Sequence, residues 1–422
     1  MARKPPRESV LERFKRYVKI DTQSKEDVED YPSTEKQLVL CRLLAEELAA
    51  MGIADAKVDP HGYVMGTLPS NLPERETATV PAIGFIAHVD TSPAVSGAGV
   101  KPVVHENYRG GDIVLPGDAS QVIRVSEYPN LEGYQGMDIV TSDGTTLLGA
   151  DNKAGIAEIM TATDLLIRNP EIKHGTIKIG FTPDEEVGQG TKHFDVKAFG
   201  ADFAYTVDGG PQGDIEFETF NAFTAIFTIT GVGVHPGYAK DKLVNAIRMA
   251  AEIVARLPRD MSPETTSDRE GYIHPYVIEG QNERVAMKLL LRDFEMDAIE
   301  KQRTMLEAIQ HDVQTLFPKG RIELEVKEAY LNMRYKIEEE PRLIEYADEA
   351  VRRAGLEPRH TLVRGGTDGA RLSYMGLLTP NLFTGGEAFH SKIEWVPVQV
   401  MEQSVEVIVN LASVWAEKSL GV

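Results

Sequence analysis

Apolar residues recur along the first fifty positions at the spacing of a helix face. Val10, Phe14 and Val18, then Leu38, Leu40, Leu43, Leu44 and Leu48, stand two to four apart, close to a 3.6-residue period. Ser33, with Glu35 and Lys36 behind it, is placed to cap the second of these helices. Short continuous apolar runs follow at Val80 to Ala87, Gly175 to Thr182 and Phe203 to Val207. Their length and content are those of buried strands. Between the first two, Ile156, Ile159, Met160, Leu165 and Leu166 predict a crossover helix over Lys153 to Ile167. Alternation of this kind predicts an α/β fold around a largely parallel sheet.

The pattern changes near residue 214. Alternating stretches predict strands at Asp214 to Phe220, Phe223 to Thr230, Tyr272 to Ile278, Arg284 to Leu291 and Arg321 to Lys327. Helical spacing covers Leu243 to Leu257 and Met296 to Phe317. These elements make a small α+β module over 214–334, inserted into a discontinuous main domain of 1–213 and 335–422. The main domain closes with a helix from Pro397 to Glu417. The longest irregular segment, Thr91 to Met137, is rich in Gly, Asp and Pro; a loop of that length is functional or carries structure of its own.

Charge and composition narrow the partners. A net charge of −20 repels phosphate backbones, whose binding needs clustered cations, so nucleic acid is excluded as a partner. The single Cys41 rules out an internal disulfide framework and a thiolate-built zinc site, and fits a reducing compartment. The charged start MARKPPRESV leads into no apolar stretch of a signal peptide, and no apolar run reaches the roughly 18 residues of a membrane helix. A cytoplasmic protein with no membrane partner is expected.

Chemistry gathers at the ends of the predicted strands, where open α/β sheets place their ligand crevice. The run to Ala87 ends in His88-Val89-Asp90; in extended backbone His88 and Asp90 point the same way, so the carboxylate can orient the imidazole. Asp151 stands before the crossover helix, as a cap or as a carboxylate able to bridge two cations. Three acids, Asp184, Glu185 and Glu186, end another strand, and their mutual repulsion falls beside a multivalent cation. Because neighbouring side chains diverge, one Glu can bind metal while the next stays free as a base. Asp208 ends a fourth run, and His390 follows the paired glycines of FTGGEAFH. Jointly, His88, Asp151, Glu186, Asp208 and His390 form a mixed N/O set suited to a pair of zinc or related divalent ions, with Asp90 and Glu185 beside them. No Gly-x-Ser-x-Gly elbow, phosphate loop or His-Glu-x-x-His helix competes with this set.

The segments AHVDTS, GADNKAG, TPDEEVGQG, TVDGG, GVHPGYAKDKLVNAI, RGGTDGARLS and FTGGEAFHSKIEW resemble the zinc aminoacylase and carboxypeptidase family, and within it the peptidase T group of tripeptide aminopeptidases. The likeness covers nearly the whole chain. It implies two Zn2+ per subunit, with Co2+ or Mn2+ as alternative ions: His88 and Asp208 on one, Glu186 and His390 on the other, Asp151 bridging. It further implies Glu185 as general base toward a water activated by the metal pair, Asp90 supporting His88, and a cis Asp151 to Asn152 peptide. The inserted module matches a lid through which relatives commonly dimerise, so a homodimer is implied. His235 and Arg292 occupy positions that in relatives stabilise the carbonyl oxygen and grip a substrate carboxylate; Arg364, Gly366 and Thr367 correspond to a substrate-facing loop. The activity implied is removal of the N-terminal residue from a short peptide substrate. Two other readings stand beside it: an amidohydrolase or carboxypeptidase acting on N-acyl amino acids or dipeptides with the same metal set, and a metal- or peptide-binding homologue without turnover.

Overall fold

A strand whose every side chain is buried needs neighbours on both edges and cover on both faces. Ile83–His88 is such a strand. In the computed structural model, which describes residues 3–421, it lies within an eight-stranded sheet. Its order is Lys57–Val58, Val64–Leu68, Ile177–Thr182, Ile83–His88, Phe203–Gly209, Asn381–Phe383, Asp214–Thr219 and Arg359–Val363. The four strands from Ile177–Thr182 to Asn381–Phe383 run parallel. Antiparallel neighbours flank them, Val64–Leu68 on one side and Asp214–Thr219 on the other. The α/β expectation therefore holds, with the parallel part confined to the centre of a mixed sheet.

The crossover helix Ala150–Arg168 is buried on nearly all sides and packs on Ile83–His88, on Phe203–Gly209 and on the terminal helix Val398–Leu420. Gly155 permits the closest of these contacts: a Cβ there would stand 1.9 Å from the Val207 carbonyl oxygen. Helix and strand thus approach to backbone contact beside Asp208.

Two compact units emerge, one of 1–217, 335–361 and 367–422, the other of 218–334 and 362–366. Strand Asp214–Thr219, whose alternation placed it in the inserted module, instead pairs Ile215 with Leu382 and Glu216 with Asn381 in the large sheet. Ladder hydrogen bonding, which alternation alone does not specify, decides its membership. The smaller unit has an antiparallel sheet ordered Tyr272–Gln281, Arg284–Asp293, Asn221–Thr230 and Arg321–Tyr330. Ala225, Phe227 and Ile229 alternate inward and share a core with Met249 and Ile253 of helix Ala246–Arg256 and with Leu306 and Val313 of helix Met296–Leu316.

The long segment after Thr91 does carry structure. Its strand Val103–His105 pairs with one edge of Ile139–Thr141, whose other edge takes Trp395–Pro397 just beyond His390. Ser33 does not cap the second helix. That helix, Gln37–Met51, starts without a side-chain cap, because the Ser33 hydroxyl and backbone N–H both donate to the Asp184 carboxylate. Among the described residues no helix is long and apolar enough to cross a membrane.

Candidate metal centre

His88 is the last residue of its strand and is 2% exposed. Its Nδ1 donates to the Asp90 carbonyl oxygen at 3.1 Å and lies 3.2 Å from the Asp90 carboxylate. Its Nε2 faces Asp151 Oδ1 at 2.8 Å and Asp208 Oδ1 at 3.3 Å.

Asp151 does not act as a helix cap. Asp151 and Asn152 have non-helical backbone and the peptide between them is cis, as the resemblance implied. Asn152 Oδ1 accepts from Gly155 N–H, the capping bond that Asp151 was a candidate to make. The Asp151 carboxylate is left to face two imidazoles, Oδ1 toward His88 Nε2 at 2.8 Å and Oδ2 toward His390 Nε2 at 3.1 Å. Glu186 completes the second group, its Oε2 lying 2.7 Å from His390 Nε2.

Three consecutive acids separate into three environments. Asp184, at φ 59°, turns back to accept from Ser33 and from Gln37 Nε2. Glu186 points to His390. Glu185, between them, is half-buried and its carboxylate makes no hydrogen bond to another described residue, while its backbone N–H and that of Glu186 donate to the Asp90 carboxylate at 3.0 and 3.2 Å. Asp208 is positioned by its backbone N–H, which donates to Asn381 Oδ1 on the neighbouring strand.

Burial pushes Glu186 up to about 8, reinforced by Asp151, and Asp208 up to about 6 against the pull of His88. Burial also drives Glu185 well above the ordinary carboxyl range, with His88 opposing and Asp368, Asp208 and Glu186 adding to the rise. Hydrogen bonds to Asp151 and Glu186 raise His390 to about 11. Burial would lower His88, but Asp208, Asp151 and Asp90 hold it well above its usual value. Burial would raise Asp151, yet His390 and His88 hold it low.

His88, Asp151 and Asp208 offer ligand atoms within 4.8 Å of one another, and so do Asp151, Glu186 and His390. Each group sets a ring nitrogen within 3.3 Å of carboxylate oxygens, and a divalent ion can take the place of the proton that otherwise links them. Glu186 Oε1 is buried without a hydrogen-bond partner. Two imidazoles and three carboxylates, one of them shared, are a donor set that two divalent ions fit.

The remaining site candidates show what holds them. His235 is exposed and its Nδ1 accepts from Gly237 N–H, which puts the neutral ring's proton on Nε2. Arg292 donates to the carbonyls of Phe223 and Leu291, stacks 5.7 Å from the Tyr330 ring, and forms no ion pair among the described residues. Arg364 donates to the carbonyls of Asp268 and Glu270 and to the Thr266 hydroxyl. A Cβ at Gly366 would meet the Tyr330 ring at 2.6 Å. The Thr367 hydroxyl accepts from Ala370 N–H as the N-cap of helix Asp368–Tyr374.

Three residues that sequence reasoning passed over stand around the centre: Asn381 behind Asp208, Asp368 and Glu394. Burial raises the Asp368 carboxyl to about 7 and the Glu394 carboxyl to about 7. The available signal for Glu394 was a lone acid between Ile393 and Trp395, in an apolar strand approach.

Comparison with known proteins identifies relatives along nearly the whole chain. The pattern of peptidase family M20/M25/M40 matches residues 142–414. Peptidase T of Bacillus pumilus is 48% identical over 413 residues, covering 98% of this chain and 100% of the relative. Peptidase T of Bacillus subtilis is 48% identical over 406 residues, covering 96% and 98%. Among solved structures, aminopeptidase PepT from Bacillus cereus superposes with a TM-score of 0.74 at 24% identity, covering 96% of this chain and 98% of that one. The Bacillus subtilis YXEP protein, a dinuclear metal binding peptidase of the M20 family, gives 0.63 at 14%, covering 97% and 98%. These two structures are alike in fold.

Proposed function

The chain belongs to peptidase family M20/M25/M40, and on that premise we propose that it is a two-metal aminopeptidase that removes the N-terminal residue of short peptides, tripeptides foremost. The observation that carries this reading is the Asp151 carboxylate, one oxygen 2.8 Å from His88 Nε2 and the other 3.1 Å from His390 Nε2, the geometry of a bridging ligand. The names of the relatives supply the substrate class: peptidase T for the first, and a tripeptidase from Staphylococcus aureus among the folds alike.

His88 and Asp208 would hold one ion, Glu186 and His390 the other, and Asp151 both. Two divalent ions, when bound, polarise a carbonyl and bring the acidity of water in the site toward neutrality. Glu185 is the carboxylate left free to take a proton from the attacking water and return it to the leaving amine. Its position follows from Asp90, which holds the backbone N–H groups of Glu185 and Glu186 while orienting His88. His235 is assigned to donate Nε2–H to the developing oxyanion. Arg292, with its remaining N–H groups unpaired, is assigned to the substrate carboxylate. Arg364, Gly366 and Thr367 frame the substrate loop: the Arg364 guanidinium is taken up by four oxygen acceptors, so the loop offers shape rather than a free cation.

Zinc as the metal, a cytoplasmic location and a homodimer through the smaller unit complete the reading. The buried lone thiol of Cys41 fits a reducing compartment. Strand Tyr272–Gln281, at one edge of the smaller unit's sheet with Tyr276 and Ile278 exposed, suits pairing with a second copy. The decisive assay compares a free tripeptide with its N-acetylated form, before and after chelation. Metal-dependent release of the first residue from the free peptide alone is expected. Preferential cleavage of the blocked peptide would move the function to an acylamino-acid amidohydrolase, and metal-dependent binding without product would leave a binding protein.

A further inference from the structure

We propose that Glu394 is a positioning residue for the bridging carboxylate of Asp151, an inference that rests on the two-metal reading above. The turn from Leu148 to Asp151 has no regular hydrogen-bond pattern of its own, since Gly149 is at φ 84° and Asp151 is non-helical. Glu394 supplies one. Its Oε2 accepts from the N–H of Leu148 at 2.9 Å and of Gly149 at 2.7 Å, and its Oε1 accepts from the N–H of Asp151 at 2.9 Å. The side chain is 1% exposed, so these donors have no water to turn to, and an unsatisfied buried N–H is costly.

Glu394 is also four positions beyond His390, whose ring meets Asp151 Oδ2. One short segment therefore holds Asp151 twice, by its side chain through His390 and by its backbone through Glu394. Strand Trp395–Pro397, directly after Glu394, is pinned to Ile139–Thr141, so the clamp is itself anchored. Both imidazoles face the same carboxylate, and a rotation of its backbone would misplace ligands for both ions together.

Glu394→Gln tests this with little change in shape. The amide oxygen can keep the two N–H groups of Leu148 and Gly149, but the amide NH2 then confronts the Asp151 N–H, donor against donor. Partners that orient metal ligands typically affect affinity by about 10- to 100-fold. Titration of metal-free protein with Zn2+ against a competing chelator should show both ions bound that much more weakly in Glu394→Gln, with the far-ultraviolet spectrum and melting cooperativity retained. Unaltered affinity for both ions would overturn the proposal, as would a loss confined to the His390 ion. Hydrogen exchange on the wild-type zinc form reads the same clamp without a variant: slow exchange of the Leu148, Gly149 and Asp151 amides is expected, and rapid exchange would overturn it even if Glu394→Gln does not fold. Wild-type protein that takes up no Zn2+ would instead refute the two-metal reading itself.

Discussion

Asp90 connects two strand ends through one carboxylate. It stands 3.2 Å from His88 Nδ1 and accepts the backbone N–H groups of Glu185 and Glu186, so the orientation of an imidazole and the path of the acid-bearing turn depend on the same pair of oxygens. Asp90→Asn puts an amide NH2 where these donors need an acceptor. Zinc affinity should fall by about 10- to 100-fold, with a decrease in kcat as Glu185 is displaced. Competition titration and steady-state kinetics on metal-saturated protein check the two effects separately.

Glu185→Gln removes the free carboxylate and leaves every residue of the two metal groups in place. It should keep two equivalents of metal after gel filtration while kcat drops by about 10²- to 10⁴-fold, the usual range for a general base. Near-wild-type turnover would take Glu185 out of that role.

His390 and Asp151 should differ in the number of ions lost. His390 belongs to one metal group and Asp151 to both. Elemental analysis is expected to find about one equivalent in His390→Ala and almost none in Asp151→Ala, and equal losses would argue against Asp151 as the bridge.

Thr367 contributes through its cap. Its hydroxyl accepts from Ala370 N–H at 3.3 Å and is largely buried. Thr367→Ala should cost about 1 kcal/mol in urea-melt stability and raise KM severalfold as the loop it caps loosens, with kcat little changed. A large rise in KM at full stability would show that the hydroxyl meets substrate.

Glu158 provides a stability test remote from the metal groups. Buried in the crossover helix, it bonds the Ser404 hydroxyl at 2.7 Å, and its other oxygen has no partner. Burial pushes its carboxyl well above the ordinary value, with Ser404 opposing. The folded state therefore binds a proton that the unfolded state releases above about pH 4.5. Stability from this group is full below that point and declines as pH rises toward the raised folded value. Denaturation from pH 5 to 9 should show a decline that Glu158→Gln, which keeps an oxygen acceptor for the Ser404 hydroxyl, flattens.

Much of this protein is legible in one dimension. Short apolar runs marked Ile83–His88 and Ile177–Thr182 as buried strands, and polar residues following such runs fell at the carboxyl ends where parallel sheets expose a crevice. The alternation of Ala225, Phe227 and Ile229 likewise marked one inward face of the smaller sheet. Asp214–Thr219 was misplaced because alternation tells which face a strand buries but not which edge it joins.

Sequence alone determined the chemistry on offer, two histidines and a run of acids at element ends, because hydrophobic period and residue type are local properties. Only tertiary structure decided how those groups divide the work. The side chains of Asp184, Glu185 and Glu186 are neighbours in the chain, yet one turns toward Ser33 and Gln37, one makes no hydrogen bond to a described residue and one meets His390. That division depends on a left-handed backbone at Asp184 and on a parallel sheet that sets Asn381–Phe383 beside Phe203–Gly209, bringing the His390 segment back to the first half of the chain. Contacts between segments so far apart are selected by packing of the whole molecule, and no local pattern records them.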